Sequence, residues 1–424
     1  MKDYSKAKEF VLARRNAKGV HSLEKIRLLL DRFDNPQDKI KVIHIAGTNG
    51  KGSTTKMISQ VLYGSYKVGS FTSPYLININ ENISIDGNPI SDADFYELVN
   101  ELKAHIKDLD QKGYYLTYFE ILTAMMYIYF YREKVDIAIV ETGLGGLLDS
   151  TNIVKKPLAS VITSISKDHM EILGQTIEEI AYQKSGIIKE NCPVFLYPQE
   201  EKVYKVIKQK ADKCDSKLFT FSIGEINIKE SDDKLNVFDF RDHKDVKVSL
   251  LGTHQIYNAC LSLMVLDYFK DYFKLDEEIV KEGLYQAYNP GRLSLICQNP
   301  RVMVDGSHNE DAIDWLVKNL RSFSYQRLII GFSVLKDKEY GYIIEKLASL
   351  ADELIVTSID SPRAFQFAEL EKIVKQKFPK ARGIEDNTKA YDYAKEIVSK
   401  DDLILWCGSL YLIGELISYE DKHK

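Results

Sequence analysis

Five cysteines in 424 residues, none of them in a C-x-x-C pair, are too few and too scattered for a disulfide framework or a zinc cluster. Long apolar runs are missing too. The longest, residues 121–131, is bounded by Glu120 and Arg132 and falls short of the about 20 residues needed to cross a bilayer. Residues 1–10 carry too much charge for a secretory leader. No membrane partner is expected, and a reducing, cytoplasmic setting is the default. Neither sign of charge is in excess. The 57 Lys and Arg stand against 62 Asp and Glu, a net −5, which argues against polyanion binding driven by overall charge. Tyr114, Tyr115 and Tyr118 have no basic stripe beside them, so no nucleic-acid partner is expected. Repeats and low-complexity tracts are absent as well.

What is present is an ordinary globular composition, 45% apolar and 28% charged, in a chain long enough for two to three domains. Short apolar runs at 41–46, 135–140, 158–165 and 193–197 read as buried strands. Helical patterns such as 56–63 and 119–131 lie between them. Strands alternating with helices predict a mostly parallel sheet covered on both faces. Residues 221–251 turn polar with charges at alternate positions, which predicts an antiparallel patch at an edge of the first domain. A second alternation, at 301–305, 327–332, 353–358 and 402–407, follows a stretch at 297–300 that suits a linker. The expected organisation is therefore α/β. A P-loop NTPase-type, mostly parallel sheet domain spans 1–297, and a smaller Rossmann-like α/β domain spans 298–424.

The most informative segment is G-T-N-G-K-G-S-T at 47–54, which follows a strand and opens a helix. Backbone N–H groups at such a helix start can hold phosphate oxygens, and Gly47, Gly50 and Gly52 let the backbone approach an anion. Lys51 would neutralise phosphate charge, and Ser53 or Thr54 could touch a metal ion or phosphate. Thr48, Asn49, Gly50, Lys51, Gly52, Ser53 and Thr54 are thus the candidate ATP contacts. The standard G-x-x-x-x-G-K-[ST] pattern is not met strictly, because Gly52 stands where Ser or Thr should be. A further strand ends in Glu141. A carboxylate at the carboxyl end of a parallel strand points into the ligand crevice, where it can hold Mg²⁺ through oxygen. His169, after the next strand, is a weaker candidate ligand on pattern alone.

The 47–54 loop resembles the phosphate loop of folylpolyglutamate synthases and dihydrofolate synthases, within the wider group of muramyl-type peptide ligases. Further matches follow in the family's order: T-S-P at 72–74, T-Y-F-E at 117–120, E-T-G-L-G-G at 141–146, D-H at 168–169, K-S-G-I-I-K at 184–189, H-Q-x-x-N-A at 254–259, P-G-R at 290–292, D-G-S-H-N at 305–309 and G-S-L-Y at 408–411. The resemblance implies an ATP-dependent carboxylate–amine ligase of one-carbon metabolism. ATP would phosphorylate a folate carboxylate, and the amino group of L-glutamate would displace phosphate from the acyl phosphate.

Residue roles follow from the same resemblance. Ser73 and Glu141 hold one Mg²⁺, and His169 helps to hold a second. Lys184 is carbamylated, which requires the neutral amine that burial favours. Asn258 contacts the nucleotide, Arg292 meets phosphate, Asp305 lies at the ribose or base, and His308 lies near the phosphates. Thr117 and Phe119 match the pterin-side motif. A histidine at 254 is as readily capped or buried as functional. The partners implied are folate, L-glutamate and ATP, and a monomer is expected.

Two departures bear on substrate. Leu147 stands where many relatives carry Arg, and Asn82 stands where an Arg is frequent. The loss at 147 puts dihydropteroate binding in question, and at 82 an arginine that could pair with a substrate carboxylate is absent. The alternatives are a bifunctional enzyme that also joins glutamate to dihydropteroate, a ligase of muramyl-type precursors, and a nucleotide-dependent switch module without ligase chemistry. The chain lacks an N-K-x-D guanine motif, which weighs against the switch.

Overall fold

The computed structural model describes residues 2–15 and 22–423. They form two compact units, one of Met1–Ile226 with Tyr257–Ala287 and one of Asn227–Ile256 with Tyr288–Lys424. The division expected at 297/298 lies inside the second unit.

The first unit is built on eight strands, β1 (Val42–Ala46), β2 (Val68–Phe71), β3 (Ile83–Ile85), β4 (Asn88–Pro89), β5 (Ile137–Glu141), β6 (Ala159–Ile162), β7 (Val194–Leu196) and β8 (Leu218–Thr220), in the order β4-β3-β2-β5-β1-β6-β7-β8. From β2 to β8 neighbouring strands are parallel, and β3 and β4 add an antiparallel edge. β1 lies centrally and is buried at all five residues. Apart from His44 its run V-I-H-I-A is apolar on both faces, as suits a strand covered on both sides. Val42 and Ala46 share one face, which packs on Leu29, Phe71, Phe95 and Met125 toward Val42 and on Ile162, Ile180 and Ile207 toward Ala46. Each fully buried Leu, Ile or Phe is worth roughly 1.5–3 kcal/mol relative to exposure.

The helix Lys51–Leu62 begins five residues before the expected start, because Gly50 takes a left-handed φ of +88° and turns the chain directly from loop to helix. The helix Tyr118–Arg132 opens on a capping box between Thr117 and Glu120, and its residues are buried on nearly every side.

The second unit holds β9 (Ile226–Ser231), β10 (Asn236–Phe240) and β11 (His243–Val248) as a separate three-stranded sheet in the order β11-β10-β9. The β10–β11 pair is antiparallel, as the alternating charges suggested, but this sheet is not an edge of the first one. The other six strands are β12 (Ser294–Cys297), β13 (Val302–Asp305), β14 (Leu328–Phe332), β15 (Glu353–Val356), β16 (Arg382–Gly383) and β17 (Leu403–Cys407), in the order β12-β13-β17-β14-β15-β16. All adjacent pairs are parallel except β12–β13. The stretch 297–300 is therefore a hairpin turn inside this sheet rather than a linker. Its polar Q-N-P composition serves either role, and only the pairing of Ser294 with Val304 decides. Among the described residues no helix is long and apolar enough to cross a membrane.

Candidate active site

The loop after β1 is pinned from both sides. Thr48 N donates to the Ser164 carbonyl at 2.7 Å, and the Thr48 hydroxyl donates to Ser166 O at 3.1 Å. A Cβ on Gly47 would lie 1.8 Å from Thr163 Oγ1, and one on Gly50 would lie 2.5 Å from Asn258 Oδ1. Both glycines are thus required by close approach, and the buried Asn258 is packed directly on the loop. Lys51 folds back over the loop, its Nζ donating to Gly47 O at 3.1 Å and Thr48 O at 3.2 Å. Ser53 and Thr54 are buried in the first helical turn, and Thr54 Oγ1 has no hydrogen-bond partner. Asn49 pairs with Ser164 in a β-bridge, and Gly52 sits half-buried in the same turn.

Lys184 lies in the last turn of the helix Ile177–Ser185 and is 4% exposed. Its Nζ donates to Gly47 O at 2.8 Å, the same carbonyl that Lys51 reaches. Burial lowers its pKa to about 7, helped by the Lys51 charge and opposed by Asp168 and Asp149. A substantial neutral fraction is therefore available near neutral pH.

Glu141 ends β5 beside β1 and is 1% exposed, with Oε1 accepting from Ser73 N at 2.6 Å. Glu141 thus holds a buried carboxylate against the Ser73 backbone, and carboxylate and hydroxyl oxygens are the donors Mg²⁺ prefers. Among the described residues no group of three or more His, Cys, Asp or Glu is set to hold a metal. His169 takes a left-handed φ of +50° at the start of a short helix, and its backbone N–H donates to Asp168 Oδ1 at 2.9 Å. Its imidazole Nε2 stands 3.9 Å from the same oxygen.

Behind these groups the segment 143–147 packs backbone to backbone on the end of the Lys184 helix. A Cβ on Gly146 would meet Lys184 O at 2.8 Å, one on Gly186 would meet Leu147 Cα at 2.3 Å, and Leu147 N donates to Gln183 O at 2.7 Å. Asp149 pins the turn: Oδ2 accepts from Leu144 N at 2.8 Å, and Oδ1 accepts from Thr151 N at 3.0 Å and Thr151 Oγ1 at 2.5 Å. Sequence reading assigned Asp149 no role, although its buried carboxylate holds the turn that follows Glu141. The signal was the lone acid after a double-glycine turn.

Thr117 and Phe119 meet their neighbours in specific ways. Thr117 caps its helix, accepting from Glu120 N at 3.3 Å while its own N–H donates to Glu120 Oε2 at 2.7 Å. Glu120 also pairs with Lys25 at 3.1 Å. Phe119 lies against Phe71, centroids 5.7 Å apart, and fills the space a Cβ on Gly143 would need.

In the second unit Asp305 ends β13 with both carboxylate oxygens engaged by backbone, Oδ2 by Leu293 N at 2.8 Å and Oδ1 by Ser307 N at 2.9 Å. It clamps the P-G-R-L segment, whose Leu293 takes a φ of +44°. Arg292 is half-buried, and its guanidinium approaches Gly306 closely enough that a Cβ there would lie 3.0 Å from Nη1. His308 Nδ1 donates to Gly306 O at 2.7 Å. His254 is held structurally. Its Nδ1 meets Asn319 Nδ2 at 3.2 Å, and its ring tilts against Trp315.

The chain matches the Mur ligase middle domain over residues 45–266 and the Mur ligase, glutamate ligase domain over residues 291–410. It is 38% identical over 407 residues to a dihydrofolate synthase/folylpolyglutamate synthase of Bacillus subtilis (strain 168), covering 93% of this chain and 94% of that one. It is 32% identical over 363 residues to the folylpolyglutamate synthase of Lacticaseibacillus casei, covering 82% and 84%. The fold superposes on Mycobacterium tuberculosis folylpolyglutamate synthase complexed with ADP and AMPPCP with a TM-score of 0.89 at 29% identity, covering 99% and 98%. It superposes on an FPGS–AMPPCP–folate complex with a TM-score of 0.82 at 28% identity, covering 97% and 98%.

Proposed function

Because this chain belongs to the Mur ligase family and, within it, to the folylpolyglutamate synthase/dihydrofolate synthase group, we propose that it is the ATP-dependent ligase that adds L-glutamate to folate. The observation that carries the reading is the meeting of Lys51 and Lys184 on the Gly47 carbonyl, next to a helix N-terminus and the buried Glu141. Lys51 and the N–H groups of the helix start supply the positive charge and donors suited to a triphosphate, and the buried Lys184 amine lies against the same loop.

A carboxylate is a poor electrophile. Transfer of the terminal phosphoryl group of ATP to a folate carboxylate oxygen releases ADP and gives a mixed anhydride. The amino nitrogen of L-glutamate then attacks the acyl carbon, phosphate leaves with the former carboxylate oxygen, and the nitrogen loses a proton as the amide forms. The loop amides from Thr48 to Thr54, with Lys51, hold and neutralise the phosphates, and Asn258 supports the loop beside the nucleotide. Ser73 and Glu141 are the oxygen donors for one Mg²⁺, and His169 is the proposed contributor to a second. Bound there, Mg²⁺ would screen charge on the transferring phosphoryl group. The neutral Lys184 amine is suited to take up CO₂, releasing a proton and leaving a carbamate whose single negative charge is shared by two oxygens. In the second unit Arg292 is proposed to meet phosphate, His308 to act close to the reacting phosphate, and Asp305 to serve the nucleoside by shaping its loop. Thr117 and Phe119 are proposed for the folate side, Phe119 as the wall beside Gly143. A monomer in the cytoplasm is the proposed working state.

A second reading, that the protein also joins glutamate to dihydropteroate, is favoured by the Bacillus subtilis relative that carries both activities in its name. The replacement of Arg by Leu147 weighs against it. The test is ADP release and product mass with tetrahydrofolate plus L-glutamate, and separately with dihydropteroate plus L-glutamate. A glutamyl product in the first assay supports the ligase. ATP turnover with neither acceptor overturns it.

A further inference from the structure

A polar side chain stands in the middle of the apolar strand β1. His44 is 0% exposed, and its Nε2 lies 2.8 Å from Thr151 Oγ1. That hydroxyl is in turn 2.5 Å from Asp149 Oδ1. The other ring nitrogen, Nδ1, is buried without a hydrogen-bond partner. Thr151 is held from a further side, since Tyr127 Oη donates to its carbonyl at 2.8 Å.

A hydroxyl has one proton, so the chain His44–Thr151–Asp149 can run in two directions. If Asp149 were protonated and donated to Thr151, Thr151 would donate to His44 Nε2, and the imidazole proton would sit on Nδ1. That would bury an N–H with no acceptor, which is rare and costly. In the opposite direction Thr151 donates to an ionised Asp149, His44 Nε2–H donates to Thr151, and only a lone pair on Nδ1 is left unmatched. Burial raises the Asp149 pKa, and the hydrogen bonds it accepts from Thr151 Oγ1 and from the backbone N–H groups of Leu144 and Thr151 oppose that rise and favour the carboxylate. Burial, with the Lys189 charge nearby, holds the His44 pKa down to about 3, so the ring stays neutral.

We propose that His44 is a positioning residue of the ligase: as the neutral Nε2–H tautomer it turns the Thr151 proton onto Asp149, and so fixes the turn that sets Glu141 against the Lys184 helix. The turn begins directly after Glu141 and ends where Gly146 and Leu147 touch the backbone of Gln183 and Lys184. The relay therefore controls a separation between two groups on opposite sides of the phosphate loop, without touching substrate. The catalytic part of this inference rests on the ligase reading, and the tautomer does not.

The test is the imidazole nitrogen-15 spectrum of the full chain, with turnover of three variants. The expected spectrum shows His44 with a protonated Nε2 and a bare Nδ1, unchanged from pH 8 to about pH 5. Thr151→Val, which keeps the shape and removes the hydroxyl, should lower kcat about tenfold while KM for ATP moves less than about twofold. Thr151→Ser should restore kcat, and His44→Gln, whose amide can still donate, should fall between the two. An Nδ1–H tautomer, or a His44 that titrates between pH 8 and about 5, overturns the relay whatever the substrate and whether or not any variant folds. Unchanged kcat in a folded Thr151→Val, or equal impairment of Ser and Val, overturns the positioning role. A correct tautomer in a protein that ligates no folate would overturn the functional reading and leave the relay standing.

Discussion

Lys51 and Lys184 donate to one and the same oxygen, the carbonyl of Gly47, from 3.1 and 2.8 Å. Burial makes Lys184 give up its proton more readily, and repulsion from the Lys51 ammonium on the same acceptor adds to the effect. Lys184 is protonated below pH about 7 and increasingly neutral above it. If the neutral amine must capture CO₂, turnover in bicarbonate buffer should rise through this pH. Initial rates from pH 6 to pH 8 test this, and a flat profile would contradict it.

Replacing the side chain separates binding from chemistry. Lys184→Ala should abolish turnover and retain ATP binding, because Lys51 and the loop amides remain. Equilibrium nucleotide binding and steady-state rates on the same preparation decide it. Near-normal turnover would remove Lys184 from the mechanism.

Gly50→Ala tests the cradle. Alanine at φ +88° costs roughly 1–2 kcal/mol, and its Cβ would collide with the Asn258 amide. ATP affinity should fall by about tenfold or more, equivalent to about 1.4 kcal/mol, as measured by calorimetry. Wild-type affinity would show that this loop does not hold the nucleotide.

Thr117→Ala distinguishes a helix cap from a folate contact. Losing the cap should cost about 1 kcal/mol of stability in urea unfolding, and Thr117→Ser should recover it. A rise in KM for folate with stability unchanged would assign the residue to the substrate instead.

Much of this was legible because it is local. A buried strand, a glycine loop and a helix in succession mark the phosphate loop within about a dozen residues, and Glu141 at a strand end carries its own geometric meaning. The four strands foreseen in the first unit, β1 among them, and the four of the second unit were readable from apolar runs alone. What escaped depends on partners far along the chain. His44 meets Thr151 107 residues away, and nothing near β1 announces that contact except the oddity of a histidine in V-I-H-I-A. Asp305 was legible as a strand-end carboxylate, but not as one whose two oxygens are already taken by Leu293 and Ser307. The 297–300 turn looked like a linker because turns and linkers share residues, and only strand pairing tells them apart.

The central claim is that ATP activates a folate carboxylate by phosphorylating it. It is tested most directly with folate carrying heavy oxygen in its reacting carboxylate, in the presence of ATP and L-glutamate, by mass analysis of the inorganic phosphate released. The account predicts one labelled oxygen in phosphate for each amide formed. Phosphate free of label, with glutamyl product accumulating, would contradict it.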